Sequence, residues 1–228
     1  MTASATLQRN LAWRYPEWWT VALSSAAWAG LATQALIGEH HHGLLANWLH
    51  WMLMVAAMML PLTLDAVRTT AACSLWARRH RAVLGFHLGY LTPWALAGFL
   101  LATLASQFSE RVSWITGAAI AFFIAALWET THAKLVAAAR CHRTMPLSPR
   151  GWRADRDCLR YGWHSGLNCS LNCWPFMLAC WLSGHSFLVM ACTFPFGIAE
   201  RYRRSNQRLR AGLLAALAFL FGAFAFFA

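Results

Sequence analysis

The sequence predicts an all-α fold: a polytopic transmembrane helical bundle of seven spans, or six on the shorter count, with its N-terminus in and its C-terminus out. Three observations predict it. Of the 228 residues, 59% are hydrophobic and 12% charged, with a mean hydropathy of +0.42, which is too apolar for a soluble domain of ordinary composition. Apolar runs close to the roughly 20 residues that cross a bilayer recur along the chain. The basic residues collect in alternate loops between these runs, as the positive-inside rule describes.

The elements follow in order. The polar start and RNLAWRYPEWW have no small-residue cleavage pattern behind them, so no signal peptide is expected. The first span runs from Trp18 to Ile37, the second from Leu44 to Leu64 and the third from Val83 to Ala105. The fourth is Val112 to Trp128, the fifth Gly162 to Ser183, the short sixth Gly184 to Ala199 and the seventh Ala211 to Phe227. Arg9 and Arg14 precede span one; Arg68, Arg78, Arg79 and Arg81 follow span two; Lys134 through Arg160 follow span four; Arg201 through Arg210 follow span six. Only Arg111 falls in an intervening loop.

The net charge of +11 is therefore topological, and anionic lipid is the partner it implies rather than nucleic acid. None of the seven cysteines falls in a predicted outside loop, so no disulfide framework is expected. Residues 130–161 are read as a basic cytoplasmic segment, an interfacial helix followed by a loop. Residues 1–228 then form a single transmembrane domain, and any chemistry must sit between helices.

Two helix faces could carry it. At about 100° per residue, His50, Met54, Met58, Pro61 and Asp65 share a stripe roughly 80° wide on span two, with Met52 and Met59 on the opposite side. On span five, Cys169, Cys173, Met177 and Cys180 share a similar stripe, and His164, Asn168 and Asn172 form a separate polar one. Thiolate and thioether ligands select soft ions such as Cu(I), and imidazole adds affinity for copper and zinc. The same residues also suit packing, since Met fills irregular gaps and buried Cys behaves as a small hydrophobe.

If spans two and five are neighbours, their depths can be compared at about 1.5 Å per residue. His50 and Met177 then lie roughly 9 Å from the outer ends, Met54 and Cys173 roughly 15 Å, and Met58 and Cys169 roughly 21 Å. Met190 on span six joins the outermost rung.

Other groups have competing readings. His40, His41 and His42 beside Glu39, with His185, could collect a metal ion outside or simply make wettable loops. Glu129 and His132 have the Glu-x-x-His spacing of bundle metal sites, yet Glu129 could equally pair with Lys134 or an arginine, and Asp65 with Arg68. His50, His87, His132 and His164 are the candidate haem ligands. There is no Walker loop, no dinucleotide fingerprint and no nucleophile with a matched base, so enzyme chemistry is not the leading expectation.

The stretch HWMLMVAAMMLPL, from His50 to Leu62, resembles the "W-x-x-M-x-x-A-M-M-x-P" helix of the predicted metal-binding integral membrane proteins grouped as domain of unknown function 2182. THAK at Thr131 to Lys134, CHRTMP at Cys141 to Pro146 and CLRYGWHSGLNCSLNCWPFM at Cys158 to Met177 are similar to later parts of that family's pattern. The resemblance covers about His50 to Glu200 and implies roles for Met54, Met58, Met59, Pro61, Lys134, Cys169, Cys173, Trp174 and Met177. Two positions depart from it: Asn172 stands where the first of two adjacent cysteines is expected, and His132 where a proline is.

The leading expectation is a multi-pass protein of the bacterial inner membrane that binds a soft transition metal between helices, Cu(I) first and zinc second, for transport or delivery. Its expected ligands are His50, Met54, Met58, Cys169, Cys173 and Met177. A metal donor or acceptor protein is the expected partner. The alternatives are a structural or assembly subunit of a membrane complex, with Met and Cys as packing, and a membrane redox enzyme.

Overall fold

Ala and Leu, two of the best helix formers, dominate the apolar runs, and every regular element among the described residues is helical. The computed structural model describes residues 14–37, 43–107, 113–184, 186–202 and 206–227. The α-helices are α1 (Trp18–Ile37), α2 (Leu44–Met59), α3 (Leu64–Ala72), α4 (Arg79–Gln107), α5 (Trp114–Glu129), α6 (His132–Cys141), α7 (Gly151–Leu182), α8 (Phe187–Tyr202) and α9 (Gln207–Phe227). Short 3₁₀ turns at Leu60–Thr63 and Trp76–Arg78 lead into α3 and α4. The outer histidines His40, His41, His42 and His185, with Glu39 and Arg111, lie outside the described residues.

Among the described residues each of the seven predicted spans overlaps a helix, but their character differs from the expectation. Four stretches are long and apolar enough to cross a membrane: Trp18–Ile37, Leu44–Ala72, Trp76–Leu104 and Gln207–Phe226. A fifth is added if α5 and α6, bent by 83° at their junction, count as one. The other two predicted spans are not among them. Helix α8 has only 16 residues, and α7 carries His164, Asn168 and Asn172 together with a charged first third. That first third was expected as loop. Asp155 pairs with Arg78 and Arg81 at the start of α4, so the segment is held against the bundle and helix begins at Gly151 rather than near Gly162.

The closest packing joins α4 to α7. A Cβ at Gly162 would overlap the Phe86 carbonyl, one at Gly166 the Tyr90 carbonyl and one at Gly89 the Leu159 carbonyl. Two small-x3-small patterns, Gly85 with Gly89 and Gly162 with Gly166, thus let two backbones touch, the usual device for apolar helices in contact. Helix α5 packs on α7 and α9, and α2 packs between α1 and α4.

The bend after α2 has a definite cause. Pro61 has no N–H to donate to the carbonyl four residues earlier, so Ala57 O is released from the helix ladder. Ser24 Oγ on α1 donates to it at 2.8 Å. The chain tightens into the 3₁₀ turn, and Tyr202 Oη at the end of α8 donates to Pro61 O at 2.9 Å.

Candidate metal site

Met54, Met58 and Met59 are almost fully buried at the inner end of α2, at 0%, 1% and 3% exposure. Opposite them, α7 buries Cys169, Cys173, Met177 and Cys180. Cys169 Sγ lies 4.0 Å from Met59 Sδ, and Cys180 Sγ lies 4.0 Å from Met58 Sδ. The expected rungs are therefore re-paired: Met58 meets Cys180, and Cys169 meets Met59.

Adjacent residues on a helix point about 100° apart, so Met58 and Met59 diverge along α7. They reach cysteines eleven residues apart, about 16 Å of helical rise. The expected rungs, which matched residues at equal depth on two helices running side by side, do not describe these pairs. Met59 was assigned to the far face of α2, yet both faces of this helix end are buried.

Tyr90 on α4 closes the inner pair. Its Oη is 3.1 Å from Cys169 Sγ and 3.3 Å from Met59 O. With one proton on the hydroxyl, Tyr90 donates either to the Cys169 sulfur or to the Met59 carbonyl, while the Cys169 thiol points its own proton at Met59 Sδ. Once Cys169 is deprotonated, the phenol can turn its proton to the thiolate. Nothing in the sequence around Tyr90 marked it for this position.

A cavity of about 40 Å³ opens beside this pair, lined by Tyr90, Cys169, Cys173, Cys141, Asn172 and Glu200 among others. It exceeds the ≳ 10–15 Å³ that a single water requires and can admit one small ion. Among the described residues no three His, Cys, Asp or Glu side chains converge as a ready-made cation site. The donors assembled are instead thiols backed by a thioether, the set that favours a soft monovalent ion over a hard or octahedral one. Two sulfurs 4.0 Å apart are close enough to share one ion at an ordinary metal–thiolate bond of about 2.3 Å.

Beside the cavity lies a buried charge network. Lys134 Nζ stands 2.8 Å from Glu200 Oε2, 3.1 Å from Glu129 Oε1 and 3.1 Å from the Asn172 carbonyl. Arg210 holds the other oxygen of Glu129 at 3.1 Å. Two cations thus face two carboxylates, which keeps the low-dielectric site neutral. Asn172 Nδ2 donates to Glu200 Oε1 at 3.0 Å and stands 3.5 Å from Cys173 Sγ. The network therefore grips the turn of α7 that carries Cys173. The residue standing in place of a cysteine at 172 serves as the link between that turn and the charges.

This geometry decides between the competing readings. Glu129 takes the ion pairs with Lys134 and Arg210. The 83° bend separates it from His132, which is exposed, so the Glu-x-x-His spacing does not lie on one helix face. Asp65 pairs with Arg68 and Arg201, both at 3.9 Å. His87 is bound at both ring nitrogens, to Thr20 Oγ1 at 3.1 Å and to Val83 O at 2.9 Å, which occupies the atoms a haem would need.

Of the expected ligands, Cys169 and Cys173 line the cavity. Met58 lies with Cys180, Met54 and Met177 are in the core cluster, and His50 is half-buried near the middle of α2. The other residues at this pair and its cavity, Met59, Tyr90, Cys141 and Asn172, come from four different elements.

No curated protein and no solved structure matches the chain. The model of one family, PpoB2, described as a copper chaperone, matches residues 48–225, which includes every residue of the cavity and its charge network. The chain belongs to this copper chaperone family.

Proposed function

We propose that this protein is a multi-pass protein of the bacterial inner membrane that holds Cu(I) between its helices and hands it to a partner protein. Copper is here the cargo. The single observation that carries the reading is the cavity lined by Cys169 and Cys173, with Met59 Sδ 4.0 Å from the Cys169 sulfur. The copper chaperone family supports copper, and the resemblance to predicted metal-binding membrane proteins supports a bound metal.

Cys169 and Cys173 would bind as thiolates, each releasing a proton as the copper–sulfur bond forms. Met59 would add a neutral thioether that needs no deprotonation. Tyr90 is placed to donate to the Cys169 thiolate, and Lys134 to offset negative charge near Cys173. The seven-span arrangement, N-terminus in and C-terminus out, is part of this proposal. It is supported by the alternation of basic loops and by the four or five apolar helical stretches.

The test is metal content per polypeptide by mass spectrometry, on protein purified in detergent with reductant and loaded with Cu(I). Wild type is expected to carry about one copper that a Cys169→Ser/Cys173→Ser variant loses while remaining folded, as thiolate selection of Cu(I) requires. Equal copper in both would remove the assignment, and none in either would return these sulfurs to packing.

A further inference from the structure

The cavity has a second wall. Cys141, the last residue of α6, lines it across from Cys169 and Cys173, and the next residue, His142, also borders it. Exposure rises along this sequence: Cys173 is 3% exposed and Cys169 8%, Cys141 is half-buried and His142 is exposed. Soft donors thus run from the buried interior to the surface within one cavity.

Two further features point the same way. Asn172 lines the cavity and is 6% exposed, and its Oδ1 has no hydrogen-bond partner among the described residues. An unpartnered buried acceptor facing a cavity signals space for a polar or ionic guest. Arg201 spans the opening: its Nη1 donates to Cys141 O at 3.0 Å and lies 3.1 Å from His142 Nδ1. This contact holds the end of α6, and with it Cys141, at the cavity's edge.

We propose that Cys141 is the exit ligand, to which Cu(I) passes by ligand exchange from the Cys169–Cys173 pair before it leaves beside His142. The inference rests on the copper site proposed above. The three thiols do not converge on one point among the described residues, so Cys141 takes the ion after the pair rather than together with it. In the exchange a copper–sulfur bond forms to Cys141 as the bond to Cys169 breaks, and the bonds to Cys173 and then Cys141 break in turn as the acceptor's own donor atoms bind the ion, each thiolate left behind taking up a proton. The proton lost by the Cys141 thiol is regained by the Cys169 thiolate. Copper stays Cu(I) throughout, and no electron is transferred.

The experiment loads full-length wild type and Cys141→Ser with Cu(I) and follows release to a water-soluble chromogenic Cu(I) chelator by stopped-flow absorbance. Cys141→Ser is expected to hold the same copper per chain as wild type and to release it at least about tenfold more slowly. Unchanged release overturns the proposal, and so does loss of stoichiometric copper in the variant, which would make Cys141 part of the primary site. Wild type without copper overturns the site beneath as well, so the two failures are distinguishable.

If Cys141→Ser does not fold, alkylation of Cys141 in the wild type decides the matter by peptide mass spectrometry. Bound copper is expected to slow its modification, and identical rates with and without copper overturn the exchange.

Discussion

Cys169 Sγ on α7 and Met59 Sδ on α2 approach to 4.0 Å, while the preceding methionine, Met58, makes the same approach to Cys180. Two sulfur pairs therefore leave one helix end in different directions. Only the pair at Cys169 adjoins the cavity, and that difference makes the two methionines separable by experiment.

Met59→Leu should weaken Cu(I) binding about tenfold, or about 1.4 kcal/mol, while Met58→Leu leaves the affinity unchanged. The swap conserves volume, so each should cost the fold less than about 1.5 kcal/mol. Competition titration against a Cu(I) chelator is the measurement. Equal affinities in the two variants would place the ion elsewhere.

Lys134→Met should lower stability strongly. It removes the cation between Glu129 and Glu200, both of which are buried, and breaking such a pair costs about 3–5 kcal/mol. Thermal unfolding in detergent reads this directly. A loss below about 0.5 kcal/mol, the range of an ordinary surface change, would show that the network is not needed to hold α7.

Gly162→Ala should destabilise by at least the about 1–3 kcal/mol of overpacking, because its Cβ would overlap the Phe86 carbonyl and neither backbone can turn aside. Gly212→Ala on α9 is the control. Nothing lies within 4 Å of its Cβ, and helix propensity favours alanine there by about 1 kcal/mol. The two melting temperatures should move in opposite directions.

His142 carries the pH prediction. Burial, and then the Arg201 guanidinium, hold its pKa below the ordinary 6.5, against the pull of Glu200 and Asp65. The unfolded chain then takes up the proton more readily than the folded one. The contribution of His142 is therefore complete above about pH 6.5 and is lost as pH falls through the lower folded value. Melting temperature should drop between about pH 7 and 5, and less so in His142→Gln, which can still accept from Arg201. A drop of the same size in both would clear His142 of the effect.

Much of this protein could be read from its residues in order. Apolar runs and Ala–Leu content determined an all-helical chain, because helix is the local way to satisfy a backbone hidden from water. Period and residue type put Met54, Met58, Cys169 and Cys173 on faces that the fold buries, and they pointed to a soft ion. Local spacing also supplied both sides of each ambiguity, such as Glu129 with His132 or with Lys134.

The tertiary structure decided which partners meet. A helical face is defined by its own periodicity, but the angle at which two helices cross depends on packing between residues far apart in sequence. The close α4–α7 contact at Gly162 and Gly166 is packing of this kind. In the folded chain Met58 meets Cys180 and Met59 meets Cys169, Tyr90 comes onto Cys169, and Lys134, Asn172 and Glu200 from three helices gather around one turn of α7. Cys141 joined the cavity for the same reason: an 83° bend after α5 carries α6 onto α7, which no spacing along the chain encodes.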